Sequence, residues 1–327
     1  MTFNNIIDEN SPGWNHKIVN GENFDHTFQI DGTPLWWFYK RFVVGYVMPK
    51  QFGLQDTLNN KVKDPFSKSY YSLLSLTLRK YIYYNEYFKR KTSKREIELG
   101  DKVLILAYTN HINQKTGEVF RVQKIADQIN SDGKLKSFIL FADPLSNISS
   151  PKIKIWRTNV HSYVKVENIV GAKKITRELY SKWRELDKKI LFGEEWNKFK
   201  YVMNFFFSYE FIYNTVLYYL SFRDMLEEQQ IKAIILTSGN GFFDRILMAS
   251  AKTKGIPVVI MQHGSGLGVA DQEISPEVNF AVFGEFYKRK LTSMNVPKES
   301  IYVTGPIIFD DIIPFMKKTN RASDKVI

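Results

Sequence analysis

From residue 101 onward the sequence predicts an α/β fold built on a parallel sheet. Three observations predict it: short apolar runs recur, helical spacing fills the intervals between them, and Gly or Pro punctuates the junctions. The first run, Val103-Leu104-Ile105-Leu106-Ala107-Tyr108, is apolar throughout, as a strand covered on both faces must be. A polar loop leads to Gly117. Val119, Val122, Ile125, Ala126 and Ile129 then recur at helical spacing over 118–129, and Ser137 to Ala142 reads as a second strand. After an irregular stretch, 174–190 and 195–228 read as two long helices rich in Lys, Glu, Trp and Tyr.

The alternation then resumes. Ala233 to Leu236 is a strand, Phe242 to Lys254 a helix, Gly255-Ile256-Pro257 a stop, and Val258 to Met261 the next strand. Phe280 to Phe283, Glu285 to Met294 and Ile301 to Val303 add a strand, a helix and a last short strand. Parallel neighbours need crossover connections, so this order predicts a Rossmann-like domain over 101–306. Ligands bind such sheets outside the carboxyl ends of the strands. Function is therefore expected after Tyr108, Leu236, Met261 and Phe283.

The chain has 327 residues, 44% of them hydrophobic and 15% aromatic, enough for a full core in one large or two smaller domains. It has no cysteine, which excludes disulfides, thiolate metal sites and a cysteine nucleophile. The net charge is +12, which invites an anionic partner. Half of that excess sits in residues 61–100, with ten Lys or Arg against four acids. Met1 to Asn10 lacks the basic and apolar regions of a secretory signal. Val202 to Phe222 is interrupted by Asn204, Glu210 and Asn214, so no membrane span is expected.

Residues 1–100 read as a separate, mainly helical subdomain, rich in aromatics and lacking strand–helix alternation. Within it, Tyr70 to Arg90 is amphipathic: Tyr70, Leu74, Leu78, Tyr81, Ile82 and Phe88 fall opposite Ser72, Ser75, Arg79, Glu86 and Arg90. Two readings stand. The helix packs on its own domain, or it lies in the headgroup boundary of anionic lipid.

Three segments carry candidate chemistry. In Gln262-His263-Gly264-Ser265-Gly266-Leu267-Gly268 a strand delivers an imidazole to its carboxyl end, beside glycines that admit close backbone approach. A structural histidine explains the same placement. In Thr237-Ser238-Gly239-Asn240-Gly241, followed by Phe242-Phe243-Asp244, a strand-to-helix junction offers N–H groups to an anion or a hydroxyl-rich ligand. Asp244 falls in the first turn, where the helix dipole favours a carboxylate, and a plain capped helix needs no ligand at all. The loop Thr109 to Gly117, with His111, permits substrate contact or simple solvation. No dinucleotide fingerprint, Walker sequence, nucleophile elbow or metal-ligand spacing occurs, so neither a redox cofactor nor a metal is expected.

The order Phe243-Asp244-Arg245, Gly255-Ile256-Pro257, Gln262-His263-Gly264, Phe283-Gly284-Glu285, Val303-Thr304-Gly305-Pro306 and Phe309-Asp310 resembles the amino-terminal half of GT-B glycosyltransferases. The similarity is to the surface-polysaccharide type, which includes capsule transferases and CDP-glycerol glycerophosphotransferase-like enzymes. The motifs cover 230–312, and the strand order extends the likeness to 101–312. Asp31 to Phe38 also resembles the opening of some such proteins.

The resemblance implies transfer of a sugar or polyol phosphate from a nucleotide-activated donor to a glycan or lipid-linked acceptor. His263 would be the base. Gly239, Asn240, Gly241 and Asp244, with Gly264, Ser265 and Gly266, would shape the acceptor side, and Glu285, Thr304 and Gly305 would line an interdomain cleft. A helix cap and a strand end, the simpler account, explain Glu285 and Thr304 without a cleft. Residues 307–327 read as a linker toward a donor-binding domain absent from the chain: either the chain is a fragment of a longer protein, or a separate chain supplies that domain, or the family's catalysis has been lost. The implied setting is cytoplasmic, with 61–100 touching the inner membrane face. Two alternatives stay open: an isomerase like UDP-N-acetylglucosamine 2-epimerase, and a non-catalytic binding or scaffold protein. No nucleic-acid module is present.

Overall fold

The computed structural model describes residues 18–19, 21–39, 100–108, 111–113, 118–119, 122–142, 160–193, 196–237, 239, 241–262 and 278–307. The predicted helix over Tyr70 to Arg90, the tail beyond 307, and Asn240, His263, Gly264, Ser265 and Gly266 lie outside the described residues.

Six parallel strands form the sheet: β5 (Lys102–Ala107), β6 (Lys136–Phe141), β7 (Ile231–Leu236), β8 (Val258–Met261), β9 (Val278–Val282) and β10 (Ile301–Val303). Their spatial order is β10-β9-β8-β7-β5-β6, a Rossmann-like α/β arrangement in which β5 has its chain successor on one side and the later strands on the other.

Period-two alternation divides the core. Ile105, Ala107 and Phe141 face α2 (Gln123–Asp132), which connects β5 to β6, while Leu104, Leu106, Leu140, Ile234, Leu236, Val258 and Ile260 join the larger cluster on the other face. That larger side holds α3 (Val166–Glu185), α4 (Lys188–Phe192), α5 (Trp196–Phe206), α6 (Tyr209–Glu228), α7 (Phe242–Lys252) and α8 (Glu285–Thr292). α6 is buried almost all round, packed on α3, α7 and β7. Among the described residues, no helix is long and apolar enough to cross a membrane.

The expected helix 118–129 starts later, at Gln123, because Val119 pairs with Ile112 and the Asn113 amide donates to the Glu118 carbonyl (2.8 Å). Val119 and Val122 still reach the core, so the spacing reported burial correctly. The expected helix 174–190 begins at Val166 instead, and breaks where Asp187 accepts from the Lys189 and Ile190 amides to start α4. The expected helix 195–228 breaks at Ser208, whose hydroxyl caps α6 through the Phe211 amide. The Gly255 stop ends α7 in a left-handed residue (φ +63°), with the Ile256 amide reaching back to the Ala251 carbonyl.

The described part of residues 1–39 holds two short hairpins and two helical turns. β1 (Ile18–Val19) pairs with β2 (Glu22–Asn23), and β3 (Gln29–Ile30) with β4 (Thr33–Pro34). Between them is a single turn, α1 (Phe24–Thr27), and after them a 3₁₀ turn, Leu35–Tyr39. Phe24 and Phe28 enter an aromatic box with Trp183, Phe192 and Phe207, so this segment shares the core of the helices beside the sheet.

Candidate functional site

Tyr108 directly follows β5, and the chain after β7 passes through Thr237 and Gly239 into α7, so the chain reverses direction across the sheet between these two carboxyl ends. A crevice at that reversal is where open α/β sheets bind ligands. The Tyr108 hydroxyl donates to Asp244 Oδ2 at 2.6 Å, and the Gly241 amide donates to the same oxygen at 2.7 Å. Asp244 is the third residue of α7, the position from which a side chain folds back onto its own helix start.

Asp244 is completely buried. Burial pushes its pKa up, opposed by the Tyr108 hydroxyl, the Gly241 and Gly239 amides and the neighbouring Arg245 charge. Its Oδ1 accepts no hydrogen bond among the described residues. The carboxylate thus occupies the helix start from inside, holding α7 to the end of β5.

Two glycines are explained by space. Gly239 sits at φ +78°, and a Cβ there would come within 2.7 Å of Ile260 Cδ1. Gly241 has an ordinary φ of −71°, but a Cβ would overlap both the Tyr108 hydroxyl and the Asp244 carboxylate. Beside them Arg245 is 1% exposed; its Nη1 donates to the Trp37 carbonyl at 3.3 Å and its guanidinium lies 5.1 Å from the Trp37 ring centroid. The first turn of α7 therefore grips the segment that follows the second hairpin.

Further along the rim, the Gln262 amide donates to the Ala281 carbonyl at 2.9 Å, and its Oε1 accepts from the Phe283 amide at 2.8 Å. These bonds join the ends of β8 and β9 immediately before position 263. Glu285 is exposed at the start of α8. Thr304 is exposed after β10, its amide on the Val282 carbonyl (3.0 Å), and Gly305 takes a left-handed φ of +75°.

The structure brings Gly239, Gly241 and Asp244 together. Glu285 follows β9 and Thr304 and Gly305 follow β10, two and three strands from β7 and so roughly 10 and 14 Å away along the sheet. From the loop after β5, His111 is buried, its ring 5.8 Å from that of Tyr108 and its amide on the Tyr108 carbonyl. No group of three or more His, Asp and Glu suited to a metal occurs among the described residues.

Tyr108, Arg245 and Trp37 complete the cluster and were not among the expected site residues. A tyrosine directly after a buried strand, and an arginine directly after Asp244, were the available signals. Compared with known proteins, the chain matches no family model, and no curated protein and no solved structure is significantly similar to it.

Proposed function

We propose that the chain is the acceptor-side domain of a GT-B-type transferase acting in cell-surface glycan synthesis. What supports the reading is the coincidence of a fold-level expectation with particular residues: the sheet reverses between β5 and β7, and the Tyr108–Asp244–Gly241 cluster lies at that point. Two strands on from β5, β8 runs through Gln262 directly into His263-Gly264.

In this reading His263 takes the proton of an acceptor hydroxyl. The oxygen forms a bond to the anomeric carbon of a sugar, or to the phosphorus of an activated polyol phosphate. The bond to the nucleotide's phosphate breaks, and that phosphate departs as the leaving group. The donor is a substrate; no redox cofactor or metal enters. Asp244 and Tyr108 do not touch the reacting atoms and act by fixing the start of α7 beside the acceptor.

Replacing the chain in its native cell by a His263→Ala variant tests it. Glycan output should fall by about 10²- to 10⁴-fold, the usual contribution of a general base. Unchanged output with normal protein levels overturns the catalytic reading and leaves a binding protein. Incubation with UDP-N-acetylglucosamine alone should yield no isomeric sugar, and an isomer would replace transfer by epimerisation.

A further inference from the structure

α3 buries Asn168, Ile169, Ala172, Thr176, Leu179 and Trp183. At a hundred degrees per residue one stripe of its solvent side carries Val166, Val170, Lys173, Lys174, Arg177 and Arg184, all exposed. Val166 is 57% exposed and Val170 64%. The four cations form no ion pair among the described residues. The acids of this helix, Glu167, Glu178 and Glu185, are exposed as well and form the adjoining stripe of the same solvent side, next to Lys174, with Glu178 engaged by Lys182 at 3.2 Å.

A single exposed valine is ordinary on a soluble surface. Two valines one turn apart, in line with four cations that form no ion pair among the described residues, on a helix packed on α6, make a two-part stripe. Beyond the end of this helix Ile190 is 83% exposed, directly after Lys188 and Lys189.

We infer that this side of α3 seats the protein on an anionic lipid surface. Lysine and arginine are drawn to lipid phosphates, and valine methyl groups gain by entering the headgroup–acyl boundary. A nucleic acid or polyanionic glycan would take the cations but gain nothing from the valines. The helix is about 30 Å long at 1.5 Å per residue, so cations and valines can reach one plane together. The seat is independent of the proposed transfer reaction and places the contact outside residues 61–100.

The full chain is sedimented with phosphatidylcholine vesicles containing about one-third phosphatidylglycerol, and with pure phosphatidylcholine vesicles. Wild type should bind the anionic vesicles and not the neutral ones. A Lys173→Glu, Lys174→Glu, Arg177→Glu, Arg184→Glu variant should bind them at least about tenfold more weakly, given the size of each cation's attraction to an anionic leaflet. A Val166→Ser, Val170→Ser variant should also lose vesicle binding, yet keep wild-type retention on heparin. All six positions are exposed, so unchanged circular dichroism should accompany each loss. Failure of wild type to bind, or equal binding by the charge-reversed variant, overturns the seat. Full vesicle binding by the valine variant while the charge variant fails also overturns it, in favour of a general polyanion site.

Discussion

Asp244 reaches its place by being short, acidic and third in its helix, so that its carboxylate meets the Gly241 amide and the Tyr108 hydroxyl together. Tyr108→Phe removes one donor from a buried carboxylate and should cost about 1–3 kcal/mol in denaturant titration. Gly241→Ala should destabilise more, because the new methyl group displaces both partners of that carboxylate. Burial raises the Asp244 pKa, so the folded state favours the neutral acid, and its contribution fades as pH rises through the folded value. Asp244→Asn keeps an acceptor without the charge; its melting temperature should therefore gain on wild type from about pH 4 upward. His161 has the opposite sign. Burial among Tyr218 and Phe243 lowers its pKa to about 3 while its ring bonds the Tyr218 hydroxyl, so unfolding is favoured once an exposed imidazole can take a proton. Stability should fall from about pH 6.5 downward, by up to about 4 kcal/mol near pH 3, and His161→Asn should flatten that slope.

At the scale of elements, the strands were legible because apolar runs of four to six residues in a covered parallel sheet have few other uses. The helix boundaries were less so: continuous aromatic character around 195–228 masked Ser208, whose hydroxyl starts α6. Ser208→Ala should cost about 0.5–2 kcal/mol by thermal unfolding, as loss of a helix cap does. The two hairpins were signalled by Asn20-Gly21 and Asp31-Gly32, turn pairs that favour positive φ. Alternation does not reveal them, because each flanking strand is only two residues long. Asp31 and Gly32 do take positive φ (45° and 81°), and Asp31 also accepts from the Tyr219 hydroxyl at 3.0 Å, fastening the turn to α6. That contact, with burial acting first, pushes the Tyr219 pKa up to about 12.

For the molecule as a whole, the hairpin segment, the helical layer and one face of the sheet share a continuous apolar cluster. Arg245 is a joint in it, because its guanidinium meets both the Trp37 carbonyl and the Trp37 ring from the first turn of α7. Arg245→Ala should loosen that attachment. Amide hydrogen exchange over 24–38 should then quicken by about tenfold or more relative to the sheet, as expected when about 1.4 kcal/mol of local stability is lost. Equal protection in both proteins would show that the aromatic box of Phe24, Phe28 and Trp183 suffices by itself.

The sequence by itself determined the strand succession, the parallel sheet it requires and the strand ends at which chemistry was sought, because periodicity and crossover length are local properties of the chain. It also singled out Gly239, Gly241 and Asp244. Only the tertiary structure decided that Tyr108 lies against Asp244, 136 positions later, and that Arg245 grips Trp37 from 208 positions away. Strand order set those meetings: which sheet edges become neighbours depends on the whole core closing at once, and no window of sequence contains that information.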